Sequence, residues 1–303
     1  MLGNPPVLRP SCVWPLSIRI GAMFGPDLLG ALSALASAFS WGGGDFSGGV
    51  AARRYGPFQV LVLSAATSLP LIVLLDLLAG EGLPSLRSGM LAAVAGACGT
   101  LGLAAFYRGL AIGRVAVVAP LASVLGTVVP VLVGVFDAGL PSAVRLAGFA
   151  LALAGIWLVT GSNGEKVAST RREIELAILA GIGFGIFLTL IALVDPDEVF
   201  SPLVSSKIAG LLLCLWIVRA RGLSVPSPRS SWAAVAAGIL DTGGNVFYLL
   251  GTQMTRLDVV AALGSLYPAI TVLLGWRLLK ERVSRRQWLG VVVSLAAVIL
   301  ITL

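Results

Sequence analysis

From Leu28 onward the chain alternates long apolar runs with short clusters of proline, glycine and charge. Each run is near the roughly 20 residues of helix that cross a hydrocarbon core. The pattern predicts helices at about 28–52, 58–79, 89–112, 115–136, 143–161, 174–194, 202–220, 232–253, 258–279 and 287–303. Clusters such as Arg53-Arg54-Tyr55-Gly56-Pro57 and Asp195-Pro196-Asp197-Glu198 set their ends. The expected fold class is an all-α membrane protein with ten transmembrane helices. Residues 1–26 contain Pro5, Pro6, Pro10, Pro15 and Pro26, read as a tail, and lack the apolar core of a signal peptide. Met23 is an alternative start, which would make that tail non-native.

Composition agrees with the pattern and removes several functions. Of 303 residues 57% are hydrophobic and 12% charged, with mean hydropathy +0.98, so a soluble domain is excluded. The net charge of +7 lies between apolar runs, where basic residues orient a membrane protein, and implies no nucleic-acid partner. The chain has no histidine, and Cys12, Cys98 and Cys214 are scattered. Histidine-based metal and nucleophile sites are therefore absent, and neither a disulfide framework nor any cofactor is expected. The partners expected are a small-molecule substrate and the bilayer. A monomer would suffice, and nothing in the sequence fixes the oligomeric state.

The two halves of the chain are related. At an offset of 142 without a gap, Thr100, Gly102, Gly109, Arg114 and Ser123 meet Thr242, Gly244, Gly251, Arg256 and Ser265. Matches among Gly, Arg, Ser and Thr in one register favour duplication over chance in an apolar chain. Duplicating five helices forces the second copy through the membrane in the opposite sense. Charge follows: Arg53 and Arg54 in one loop correspond to Asp195, Asp197 and Glu198 in the other half, and the loop with Glu81 and Arg87 corresponds to one with Arg219, Arg221 and Arg229. The expected organisation is therefore two inverted five-helix repeats, 28–161 and 174–303, joined by a cytoplasmic linker at 162–173, with both termini outside.

The repeat layout, the Trp41-Gly42 pair with its Phe184-Gly185 echo, and the Glu281…Gly290 pattern resemble the EamA type of the drug/metabolite transporter (DMT) superfamily. Gly139 departs from that pattern, standing where an acidic residue would match Glu281. The resemblance implies alternating-access transport of a small metabolite through a cavity between the repeats. It leaves the substrate open.

Candidate chemistry centres on the 232–253 helix, where Asp241, Asn245 and Tyr248 form one stripe at helical spacing. A carboxylate at bilayer depth is expensive and normally faces a cavity or protein interior. Asp241 can bind a proton, neutralise a cationic substrate or do each in turn; the structural alternative is a hydrogen bond to Thr242 or a neighbouring helix. Trp41, Tyr107, Tyr248 and Tyr267 are candidates to stack on substrate, and Ser265 is a further candidate contact. Asp45 is expected to pair with Arg108, as a cytoplasmic gate or simply to neutralise two charges. Lys207 is expected near the outer surface with Asp197 or Glu198. Gly42, Gly43 and Gly44 read as a close-packing surface, since a phosphate loop would need a strand and a following lysine. Pro120, Pro130 and Pro268 mark possible hinges or freed carbonyls.

The functional expectation is a multi-pass secondary transporter in the cell membrane, bacterial inner by preference. It exports an amino-acid-like or amphipathic metabolite with possible proton coupling through Asp241. No Walker-type motif offers direct use of ATP. The alternative is a membrane-embedded enzyme acting on lipid-linked intermediates, which would need titratable groups clustered on a long loop.

Overall fold

A computed structural model describes residues 25–112, 142–160, 171–278 and 285–302, and, between 112 and 142, residues 118, 122, 123, 125, 126, 129, 130 and 133. The N-terminal tail, Met23, residues 162–170 of the linker, Pro120, Gly139, Glu281 and most of the 115–136 helix lie outside these. All regular structure among the described residues is helical. The helices are α1 (Pro26–Arg54), α2 (Pro57–Ala79), α3 (Leu86–Ile112), α4 (Ala143–Thr160), α5 (Arg171–Ala192), α6 (Phe200–Ala220), α7 (Trp232–Met254), α8 (Leu257–Gly264), α9 (Tyr267–Leu278) and α10 (Arg285–Thr302). Five stretches, in α2, α3, α5, α6 and α7, are long and apolar enough to cross a membrane, and Ala143–Gly155 and Leu257–Thr271 are shorter apolar stretches.

Local sequence explains the boundaries. Pro26 and Pro57 open α1 and α2 at positions where the missing N–H costs nothing. Gly56 precedes α2, and its N–H donates to Gln59 Oε1 at 2.9 Å. Gly80 ends α2 at φ 70°, a conformation that a side chain would strain. The predicted 258–279 helix is a correction: it is broken in two at Ser265 and Leu266. Pro268 cannot donate to Gly264 and its ring would crowd that carbonyl, so α8 stops there and α9 starts with Pro268 in its first turn.

Loop contacts define two ends of the bundle. At one end Tyr55 and Gln59 donate to the carbonyls of Ser230 and Ser224, and Arg221 lies 5.3 Å over the Phe58 ring. This end carries Arg53, Arg54, Arg219, Arg221 and Arg229. Arg286 sits 4.1 Å over Trp157, joining the start of α10 to the finish of α4. Trp157, Trp216, Trp232 and Trp288, all exposed, lie on helix turns nearest the basic end.

The opposite, acidic end is clasped between the α2–α3 and α5–α6 loops. Glu81 Oε2 accepts the N–H groups of Val199, Phe200 and Ser201 at 3.0, 2.8 and 3.1 Å, capping the start of α6. Glu198 Oε1 accepts the N–H of Ser85 at 2.8 Å. Asp195 accepts the hydroxyls of Ser85 and Ser88 at 2.6 and 3.1 Å and pairs with Arg87 at 3.3 Å. These hydroxyls, with Arg87 behind them, hold the Asp195 carboxyl below the usual range. Burial pushes Glu81 the other way despite its backbone donors.

Glu81→Ala is expected to cost about 1–2 kcal/mol, the scale of a lost helix cap, read as a lower thermal midpoint in detergent. Because the Asp195 value is depressed on folding, its stabilisation is complete above the ordinary carboxylate range and is lost as pH falls through the lowered value. Asp195→Asn should therefore flatten the acid limb of a stability-against-pH curve.

In the interior, α1 packs on α7 and α3 on α5, while α2 meets α6 and α4 meets α10; α3 also packs on α6, and α2 on α7. Small residues set these approaches. A Cβ on Gly96 would collide with the Ser206 backbone, and one on Gly238 with the Ser64 backbone. Along α1, a Cβ on Gly42 would lie 2.6 Å from the Tyr267 carbonyl, and one on Gly44 would lie 3.2 Å from the Asp241 nitrogen. The glycine run of α1 is thus a packing surface, serving α9 on one side and α7 on the other.

Candidate functional site

Where α1, α2, α3, α5, α6, α7 and α9 face one another they leave a central cavity of about 1050 Å³ including its open part. Its wall includes Trp41, Asp45, Ser64, Ala65, Leu103, Tyr107, Ser123, Phe184, Phe187, Leu188, Ser206, Lys207, Asp241, Asn245, Ser265 and Tyr267. Aromatic and aliphatic side chains dominate, and the polar groups converge in one region, as in small-molecule pockets.

Asp241 occupies the tenth position of the 23-residue α7, and Asn245 follows one turn later on the same face. Lys207 reaches from α6 and forms an ion pair with Asp241 Oδ2. Asn245 Nδ2 donates to the same oxygen at 3.4 Å, and Trp41 Nε1 donates to Asn245 Oδ1 at 2.9 Å. One chain of contacts therefore runs from α6 through α7 to α1. The Lys207 and Asp241 side chains keep only 13% and 27% of their exposure, so each charge depends on the other. Lys207 is consequently a correction to the expected outer-surface pairing with Asp197 or Glu198. The signal that would have found it is the rule that a lysine in a span needs a carboxylate partner.

Asp45 lies one turn beyond Trp41 on α1 and also lines the cavity. The Asp45–Arg108 pair is not formed: Arg108 is exposed on the far side of α3, because its neighbour Tyr107 is the residue facing the cavity. Among the described residues Asp45 has no ion pair and no hydrogen bond. Its electrostatic neighbour is Asp241, of the same sign.

The aromatic candidates separate into wall and support. Trp41, Tyr107 and Tyr267 line the cavity. Tyr248 does not: it is completely buried behind Trp41, with ring centroids 5.4 Å apart and its hydroxyl donating to the Leu188 carbonyl at 3.3 Å. Tyr267 meets Trp41 edge-on at 6.5 Å. Ser265 lies at the break between α8 and α9, and its carbonyl accepts the Ser123 hydroxyl at 3.1 Å. A broken helix exposing backbone acceptors to a cavity is tolerated in membranes where protein or water satisfies them.

A bundle of apolar helices around a largely apolar cavity in which a few polar groups converge marks a multi-pass membrane protein. The model of the EamA-like transporter family matches residues 171–303, which contain α5 to α10. Residues 171–303, somewhat under half of the chain, are thus similar to an EamA-like transporter domain of the drug/metabolite transporter superfamily. An uncharacterized protein of Methanocaldococcus jannaschii is similar, 24% identical over 131 residues that make up 43% of this chain and 96% of that protein. A crystal structure matches with TM-score 0.68 at 16% identity, over 89% of this chain and 95% of its own, a likeness of fold.

Proposed function

We propose that the protein is a secondary active exporter of a small amphipathic metabolite, amino-acid-like in size, working by alternating access. The observation that carries this reading is a cavity walled by both halves of the chain with an ion pair at its centre. Inverted repeats that rock about a midplane site need that layout.

The internal packing supports the inverted repeat. At the offset of 142, Gly96 meets Ser206 as Gly238 meets Ser64, so each contact is the image of the other. The Trp41–Tyr248 ring pair at 5.4 Å is echoed by Phe184–Phe106 at 5.6 Å, with Phe106 and Tyr248 at the same offset and Phe184 one residue beyond it. Ser123 and Ser265, equivalent residues, touch each other, as positions on a two-fold axis must. The α1–α7 pairing and the α3–α5 pairing are likewise images.

The segregated ends support an orientation with the Arg53 and Arg219 end in the cytoplasm and both termini outside, in a bacterial inner membrane. Labelling of a cysteine introduced at Ala220 from outside intact cells would overturn it. Proton coupling is read at the cavity carboxylates, with Asp241 the group whose pairing with Lys207 would have to open. In proteoliposomes, substrate flux is expected to rise with an imposed pH gradient and to lose that dependence in Asp241→Asn. Equal coupling in the variant would remove Asp241 from the proton path. An enzymatic reading on lipid-linked intermediates finds little support, since among the described residues the titratable side chains of the cavity form no nucleophile–base pair.

A further inference from the structure

Resting on the transport reading, we propose that Asp45 is the substrate-anchoring carboxylate and that the substrate is a monocationic amine with an apolar or aromatic body. Three charged side chains face the cavity among the described residues: Lys207, Asp241 and Asp45. Two of them cancel. The Lys207 ammonium is committed to Asp241, and Asn245, itself held by Trp41, donates to the same carboxylate oxygen. Asp45 stands in the wall with neither an ion pair nor a hydrogen bond among the described residues, and a negative charge there is opposed by Asp241. Leaving a carboxylate so placed is costly unless something positive joins it. Among the described residues no cation is left for Asp45, so a proton or a positively charged ligand would have to join it.

The surroundings of Asp45 specify the rest of the ligand. Trp41 stands one turn away on the same helix, and Tyr107 and Tyr267 line the same cavity. Aromatic faces attract an ammonium group and stack on an apolar body. Phe187 and Leu103 extend an apolar wall that carries no further free charge among the described residues. An anion would have to displace Asp241 from Lys207, leaving that carboxylate unpaired. A zwitterion faces the same cost for its carboxylate. A simple amine requires no such rearrangement. The titratable groups facing Asp45 are Asp241 on α7, Tyr107 on α3 and Tyr267 on α9, with Lys207 on α6 one step further, and none offers it a second cation.

The test uses three probes sharing one aromatic body: phenethylamine, phenylalanine and 3-phenylpropionate, titrated calorimetrically against the purified full-length protein in detergent. Phenethylamine is expected to bind tightest, and Asp45→Asn to weaken it by at least about tenfold while the thermal midpoint stays near wild type. Asp45→Glu should keep most of the binding. Asp45→Ser serves the same purpose if the amide variant does not yield folded protein. No phenethylamine binding, binding indifferent to Asp45, or a preference for either of the other two probes overturns the proposal. A flux assay with a mixed panel of small metabolites separates the two readings. Flux of any panel member alongside failed amine binding removes only the Asp45 assignment, whereas absence of all flux removes transport itself.

Discussion

Lys207→Met will destabilise the protein by about 3 kcal/mol, the lower part of the range for breaking a buried ion pair, and reduce transport by at least roughly tenfold. The cause is the carboxylate left behind more than the lost attraction. Asp241 would sit in a cavity wall with Asn245 as its remaining donor and Asp45 repelling it. Combining Lys207→Met with Asp241→Asn removes both charges and should recover most of the thermal midpoint, since a missing pair costs far less than half of one. Flux should not recover with it if the pair takes part in transport. A thermal midpoint unchanged by Lys207→Met alone would mean that water within the cavity already screens Asp241.

The second large effect is expected at the paired glycines. Gly96→Val and Gly238→Val each place side-chain carbon against the backbone of the facing helix, at Ser206 and Ser64 respectively. Backbone cannot swing aside as a rotamer can, so α3 must separate from α6, or α7 from α2. Overpacking of this kind costs about 1–3 kcal/mol or more. Under the proposed inverted repeat the two sites are equivalent, and the two variants should lose monodisperse material on size exclusion to similar extents. A wild-type elution profile for one and aggregation for the other would argue against equivalent packing in the two halves.

How much of this was legible in the sequence depends on what each feature is made of. Helix positions were, because every span must be apolar and every end is punctuated: α6 and α7 fall within two residues of expectation. Of the residues matched at an offset of 142, Ser123 and Ser265 touch each other, whereas the Gly96–Ser206 and Gly238–Ser64 contacts rest on matches that the sequence reading did not pick out. The break in the 258–279 helix was visible only as Pro268, because a proline can kink a membrane helix without ending it. The pairing of charges was not legible. Asp45 and Arg108 lie at compatible depths, but depth leaves the angle around the helix axis open, and Tyr107 takes the inward face of α3 at the expense of Arg108. Lys207 was misplaced for the complementary reason: eight residues into α6, its long stem spans more depth than a count from the helix end allows. Asn245 and Asp241 were read correctly as neighbours because one helix fixes both depth and angle.

The four exposed tryptophans among the described residues have a consequence for how the molecule sits in lipid. Trp157, Trp216, Trp232 and Trp288 are gathered at the basic end, and indole rings favour the headgroup level. Four of them on separate helices, beside arginines that favour the same plane, moor the protein to a single leaflet. The clasped acidic end has no comparable collar among the described residues. A thicker or thinner bilayer would then be accommodated mainly at the clasp, so the tension lipids exert on the protein falls on the contacts between the α2–α3 and α5–α6 loops.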